Sequence, residues 1–114
     1  MKQLLILGFF AIVGLSANAQ VAVTEDKIVA SVTEQTTRQQ LSEMRNELLT
    51  HGIDMRYENI EWNAQGSLLK IRMMARNENG EVVEIAALPF PAGQVIKLVV
   101  QRETGELCLG TTCE

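Results

Sequence analysis

The chain holds a single histidine, two prolines and two cysteines in 114 residues. Each scarcity removes a class of chemistry. One histidine cannot supply a pair of imidazoles for zinc, and two thiols do not complete a tetrahedral site. General-base work by His51 needs oriented partners that the sequence does not identify. There is no glycine-rich phosphate loop, and no nucleophile elbow surrounds Ser31, Ser42 or Ser67. Nothing marks a cofactor site. The chain also lacks a basic run, and its formal net charge is −4. That balance argues against nucleic acid and against anionic membrane surfaces. Carboxylates are present at Glu58, Glu61, Glu81 and Glu84, but they alternate with Arg56, Lys70, Arg72 and Arg76. This pattern reads as cross-strand charge pairing on a wet face rather than two acids facing each other across a glycosidase cleft. The chain is therefore read as a non-enzyme.

There is one long apolar run. Lys2 precedes an almost unbroken apolar segment from Leu4 to Leu15, and Ala17-Asn18-Ala19 is a small-x-small site. These are the parts of a cleavable secretory signal peptide, too short for a comfortable membrane span. Residues 1–19 are expected to be removed after Ala19, leaving Gln20 first and a secreted or periplasmic chain with no membrane insertion. Residues 20–26 are expected to be a loose leader, and 27–114 a single domain.

The centre of that domain is residues 33–76. Thr36 with Gln39, or Thr37 with Gln40, can form a capping box. Leu41, Met44, Leu48 and Leu49 then make one narrow apolar stripe of a helix. Gly52 supplies a left-handed stop, with Ile53 folding back on Leu48. His51 falls at the helix end, where unpaired carbonyls favour a donor; that reading is preferred to a catalytic one.

After Gly52 the period changes to two. Ile53, Met55 and Tyr57 share one face; Leu69, Ile71, Met73 and Ala75 share a face on the next strand. A strand also precedes the helix at Lys27 to Val32. The resulting β-α-β unit is long enough for a crossover, right-handed if its strands are parallel. Glu81 to Ala87, Gln94 to Gln101 and Leu107 to Leu109 complete the strands. The Gln94 to Gln101 stretch is apolar on both faces and reads as an interior strand. A three-residue loop of Glu78, Asn79 and Gly80 sets Ala75 opposite Val83 and Met73 opposite Ile85. The same rule applied to Glu103, Thr104 and Gly105 sets Val100 opposite Cys108. The fold class is α+β, one helix packed on a mainly antiparallel sheet of five or six strands.

Two features leave the surface open. In the hairpin around Asn63 to Gly66, a three-residue loop turns Ile60 and Trp62 outward, where they join Leu68 and Met74 in an exposed apolar patch. A four-residue loop with a bulge near Glu58-Asn59 turns Ile60 and Trp62 into the core instead. Between Pro89 and Pro91, Phe90 is either a presented anchor for a partner or a plug at an open end of the core. Ile60, Trp62, Leu68, Met74 and Phe90 are thus the candidate interaction surface. Cys108 and Cys113 are expected to pair as a disulfide that pins the C-terminal tail. Free or intermolecularly paired thiols are the alternative, and a metal site a remoter one.

Thr36 and Thr37, Leu41, Leu48, Gly52-Ile53-Asp54, Asn63 to Gly66 and Ile96 to Gly105 follow an order that resembles a known segment. It is the extracytoplasmic C-terminal segment of bacterial membrane zinc peptidases of the β-lactam-sensor type, also carried alone by small exported proteins. The resemblance covers most of residues 28–109. The peptidase domain and its zinc motif are not in this sequence, so no catalytic residue carries over. Cys108 and Cys113 depart from the pattern. The resemblance implies a sensing or interaction module in the envelope, with a protein partner there. The alternative is a secreted inhibitor or modulator of an envelope peptidase, acting through the Leu88 to Gly93 loop.

Overall fold

The computed structural model describes residues 20–114; the expected signal peptide, residues 1–19, lies outside the described residues. The elements are β1 (Val21–Val23), β2 (Lys27–Val32), α1 (Arg38–Leu49), β3 (Asp54–Trp62), β4 (Leu68–Arg76), β5 (Val82–Ala87), β6 (Ile96–Gln101) and β7 (Leu107–Gly110). All the strand pairs are antiparallel.

Three expectations are corrected here. The strands form two sheets, ordered β1-β2-β6-β7 and β3-β4-β5, where one sheet was expected. β2 is flanked on both sides by β1 and β6, so β3 cannot join it, and the β-α-β unit is not a parallel crossover. Residues 20–26 are not a loose leader: Val21–Val23 pairs with Ala30, Val29 and Ile28. The hairpin closes at Thr24, whose hydroxyl accepts from the backbone N–H groups of Asp26 (3.3 Å) and Lys27 (3.2 Å).

The elements close into a ring. In spatial order α1, β1, β2, β6, β7, β5, β4 and β3, each touches the next, and β3 touches α1 again. The helix stands between the two outer strands β1 and β3. An edge strand left open is a template for unwanted pairing; here α1 shields two of the four edges, and β5 and β7 shield each other. Inward-facing residues of all parts form one core, including Ile28, Val32, Leu41, Met44, Leu48, Ile71, Met73, Ile96 and Leu98.

The helix begins and ends by local rules. Thr37 Oγ1 accepts from Gln40 N–H (3.1 Å), and Gln40 Oε1 accepts from Thr37 N–H (2.9 Å). Thr36 is left for a different job: buried, it accepts from Thr33 N–H at 2.9 Å. At the other end Gly52 has φ +82°. Gly52 N–H donates to Leu49 O, and Ile53 N–H donates to Leu48 O, both at 3.0 Å. Leu41, Met44 and Leu48 are buried as the stripe requires, but Leu49 is 60% exposed. It lies one step round from Leu48, beyond a stripe this narrow.

The turns divide similarly. Asn77 N–H donates to Glu81 O, Gly80 has φ +86°, and Ala75 faces Val83 with Met73 facing Ile85, as the three-residue loop demands. The β6–β7 loop is four residues long instead. Gln101 N–H donates to Glu106 O, so Val100 faces Leu107 and Val99 faces Cys108. Both arrangements put glycine in the left-handed position; burial of Leu107 rather than Cys108 selects the longer one.

The β3–β4 hairpin contains two compensating bulges. Glu58 faces Arg72, Glu61 faces Lys70, and Trp62 faces Leu68. β3 therefore gains one extra residue beside Asn59, which has φ +55°. β4 then gains one at Leu69, and the original register returns. Each bulge reverses the alternation of its own strand. Ile60 and Trp62 turn inward in place of Asn59 and Glu61. Leu68 turns inward in place of Leu69, which is 43% exposed. The expected face of Leu69, Ile71, Met73 and Ala75 is corrected at its first member.

Candidate functional site

The five candidate surface residues do not make one patch. Leu68 and Phe90 are core, at 1% and 5% exposure. Ile60 and Trp62 are half-buried and pack against that core. Met74 is half-buried on the outer face of β4, between Arg56 of β3 and Glu84 of β5. That face is charged: Arg56 pairs with Asp54 (3.1 Å), Arg72 with Glu84 (3.5 Å) and Lys70 with Glu61 (3.8 Å). Asp54, Glu61 and Glu84 are accordingly partners of cations on a wet face, whereas the Glu81 carboxylate accepts from Asn77 Nδ2.

Four of the five nevertheless meet at one end of the ring, together with residues the sequence did not single out. Phe90 plugs this end, and its N–H donates to Leu69 O at 2.7 Å. Leu68 N–H donates to Glu34 O (2.8 Å), and Gly93 N–H donates to Glu34 Oε1 (3.1 Å). Glu34 thus ties the start of β4 to the Leu88 to Gly93 segment. Asn63 Oδ1 accepts from the N–H groups of Gln65 and Ser67, both at 2.9 Å, and holds the hairpin turn beside it. Arg38 stacks its guanidinium 5.6 Å from the centroid of the Trp62 ring, a cation–π contact. The Trp62 Nε1–H is buried without a hydrogen-bond partner.

This framework presents apolar side chains outward. Leu69 and Leu88 are each 43% exposed, on neighbouring chain segments joined by the Phe90–Leu69 bond. Leu69 is outward because the β4 bulge puts it there. Leu88 is outward because Ala87, before it, still faces the core opposite Ile71. Val95, which leads into β6, is also exposed. The signal for Leu88 lay in the sequence, as a hydrophobe next to a proline-rich connection. The signal for Leu69 did not, because Leu68 and Leu69 are identical and either fits the alternation.

The opposite end carries a groove of about 350 Å³ lined by His51, Gly52, the Asn77–Asn79 turn and the Arg102–Gly105 turn. Its hydrogen-bonding groups largely hold the turns themselves. Asn77 is buried; its Nδ2 donates to Gly105 O (2.8 Å) and Glu81 Oε1 (3.1 Å), and its Oδ1 accepts from Glu81 N–H (2.9 Å). Arg102 Nη1 donates to Thr24 O at 2.8 Å. His51 Nε2 lies 3.6 Å from Glu47, one turn back on the helix. The arrangement locks two β-turns together and ends the helix.

The remaining ionisable side chain with a distinct environment is Tyr57. Its hydroxyl donates to Leu41 O at 2.8 Å, docking β3 on α1. Burial raises its pKa above the usual tyrosine range, and the charge of Arg45 opposes that only in part. Cys108 and Cys113 are joined as a disulfide, with 5.8 Å between their Cα atoms. Among the described residues no group of three or more His, Cys, Asp or Glu side chains is placed to hold a metal ion. No helix among them is long and apolar enough to cross a membrane. Neither family models, nor curated proteins, nor solved structures match this chain.

Proposed function

We propose that this chain is an exported, non-catalytic interaction module of the bacterial cell envelope. Residues 1–19 act as its cleavable signal peptide, and it meets a protein partner through the Leu69 and Leu88 end of the ring. The observation that carries the reading is the pair of outward leucines on a braced frame. A bulge and a proline-rich connection each cost local regularity, and together they leave two large apolar side chains exposed on neighbouring chain segments. Exposed apolar area so placed favours association when a partner covers it. The resemblance to the extracytoplasmic segment of the sensor-type peptidases supports the same reading. Its shared residues are caps and turns, which build a scaffold and carry no chemistry. The inhibitor reading loses its anchor, because Phe90 is a core residue and cannot enter a partner without opening the end of the ring.

The test is capture of envelope proteins, solubilised in detergent from the protein's own source, on the exported chain. One specific membrane protein is expected, lost with the double variant Leu69→Ser and Leu88→Ser. Capture should persist with Val82→Ser, which changes an exposed hydrophobe on the far part of β5. Equal capture by both variants refutes the site. Absence of any specific capture by the folded chain refutes the function.

A further inference from the structure

Val99 is only 2% exposed, yet it stands outside the main core. Its neighbours Leu98 and Val100 belong to that core, so alternation turns Val99 to the outer face of the four-stranded sheet. The register sets Ala22, Val29, Val99 and Cys108 in one row across that face. Along the row Ala22 is exposed, Val29 half-buried and Val99 buried. The helix meets this sheet at its β1 edge, far along the row from the buried end. The C-terminal tail lies at that end. Cys113 is bonded to Cys108, the strand partner of Val99, and is itself only 6% exposed and outside the main core. A Cβ built on Gly110 would lie 3.9 Å from Cys113 Sγ, so the tail turns back over its own strand. We propose that the disulfide is a redox latch: it holds residues 111–114 over Val99, and its reduction bares the apolar row while the ring stays folded.

The co-reactant is a dithiol. Cys108 is exposed on the outermost strand β7, whereas Cys113 is covered. A thiolate of the dithiol therefore attacks Cys108 Sγ. The Cys108–Cys113 bond breaks, and Cys113 leaves as a thiolate and takes up a proton. The second thiol of the dithiol then attacks the mixed disulfide and frees Cys108, which takes up the other proton. The dithiol is oxidised to its own disulfide by giving two electrons to the cysteine pair.

The change is local. The main core contains neither cysteine nor Val99. β6 keeps its ladders to β2 and β7 whether or not the sulfurs are joined. The cysteines are five positions apart, so reduction frees only a short terminal segment. Such segments lose order unless something ties them down. The strip then bared runs from Ala22 through Val29 to Val99, on the sheet that does not carry Leu69. A contiguous apolar strip of this kind favours association.

The test compares the oxidised chain, the same chain reduced with dithiothreitol, and the double variant Cys108→Ser with Cys113→Ser. Far-UV circular dichroism follows the fold, hydrogen exchange follows residues 110–114, and an apolar fluorescent dye reports the row. The reduced chain and the double variant should keep the spectrum of the oxidised chain and lose protection in the tail. Both should bind the dye several-fold more brightly. Val99→Ser, compared with its own oxidised form, should lose that gain on reduction. Collapse of the spectrum on reduction overturns the latch, because the disulfide then holds the whole fold. A tail that stays protected, a dye signal that does not rise, or a rise that Val99→Ser leaves intact overturns it as well.

Discussion

Gly52 offers a substitution series in which two effects separate. Its φ is +82°, in the left-handed region, and a Cβ built there lies 2.7 Å from Glu78 Cδ and 2.9 Å from both Cγ and Oε2. Gly80 has φ +86°, and a Cβ there meets nothing within 4 Å. Alanine at either site bears the backbone cost of a left-handed non-glycine residue, about 1–2 kcal/mol. Only Gly52→Ala must also push a side chain aside. Glu78 is exposed and flexible, so its rotation should add no more than ~1 kcal/mol, the order of one off-rotamer side chain. Gly80→Ala should therefore cost about 1–2 kcal/mol and Gly52→Ala about 1–3 kcal/mol. Gly52→Val should cost more than Gly52→Ala, since its β-branch is stiffer. With a urea slope of about 1–3 kcal/mol per molar, these costs lower the midpoint by roughly 0.3–3 M. Equilibrium unfolding of the oxidised protein measures this, and Gly52→Ala with Glu78→Ala should behave like Gly80→Ala. An unchanged midpoint for Gly52→Ala refutes the helix stop. A double variant no better than Gly52→Ala refutes the steric part of the argument.

Three further outcomes follow from particular contacts. Tyr57 is held neutral by burial, so its folded-state pKa lies above the ordinary value of 10.0; the stability tied to it is complete below pH 10 and falls as pH rises beyond that. Tyr57→Phe should lose about 1 kcal/mol at neutral pH with the bond to Leu41 O, and should show a flatter decline above pH 10; parallel declines refute the assignment. Phe90→Ala should destabilise by about 3–5 kcal/mol as a core truncation, whereas Leu88→Ala should change the midpoint little; the reverse order in urea unfolding would show that Phe90 is no plug. Replacing both Cys108 and Cys113 by serine should cost about 2 kcal/mol through the short ring they close, and alkylation of the unreduced protein should label neither thiol. A midpoint as high as that of the parent refutes the stabilising role.

The parts of this fold that were legible in advance are those governed by neighbours three to five residues apart. The box of Thr37 and Gln40, the stop at Gly52, and the Glu78 to Gly80 loop that pairs Ala75 with Val83 all follow from short-range hydrogen bonds and a left-handed glycine. The β6–β7 loop was not, because a loop of three and a loop of four both place Gly105 acceptably. Only the core decides that Leu107 faces Val100. The candidate site was less legible still. Its five residues were chosen as a patch, and packing divided them among core, rim and a charged outer face.

What the sequence by itself determined is local: where the helix starts and stops, which segments extend, and that the chemistry of metal, phosphate and nucleophile has no motif here. What only the tertiary structure decided is membership and parity. β2 takes β1 and β6 as neighbours, so the strands divide into two sheets that α1 closes into a ring. The paired bulges at Asn59 and Leu69 turn Trp62 and Leu68 in and leave Leu69 out. Alternation along one strand cannot settle either point, because its period of two is the same on both faces. The choice belongs to the core that the distant strands and the helix build together.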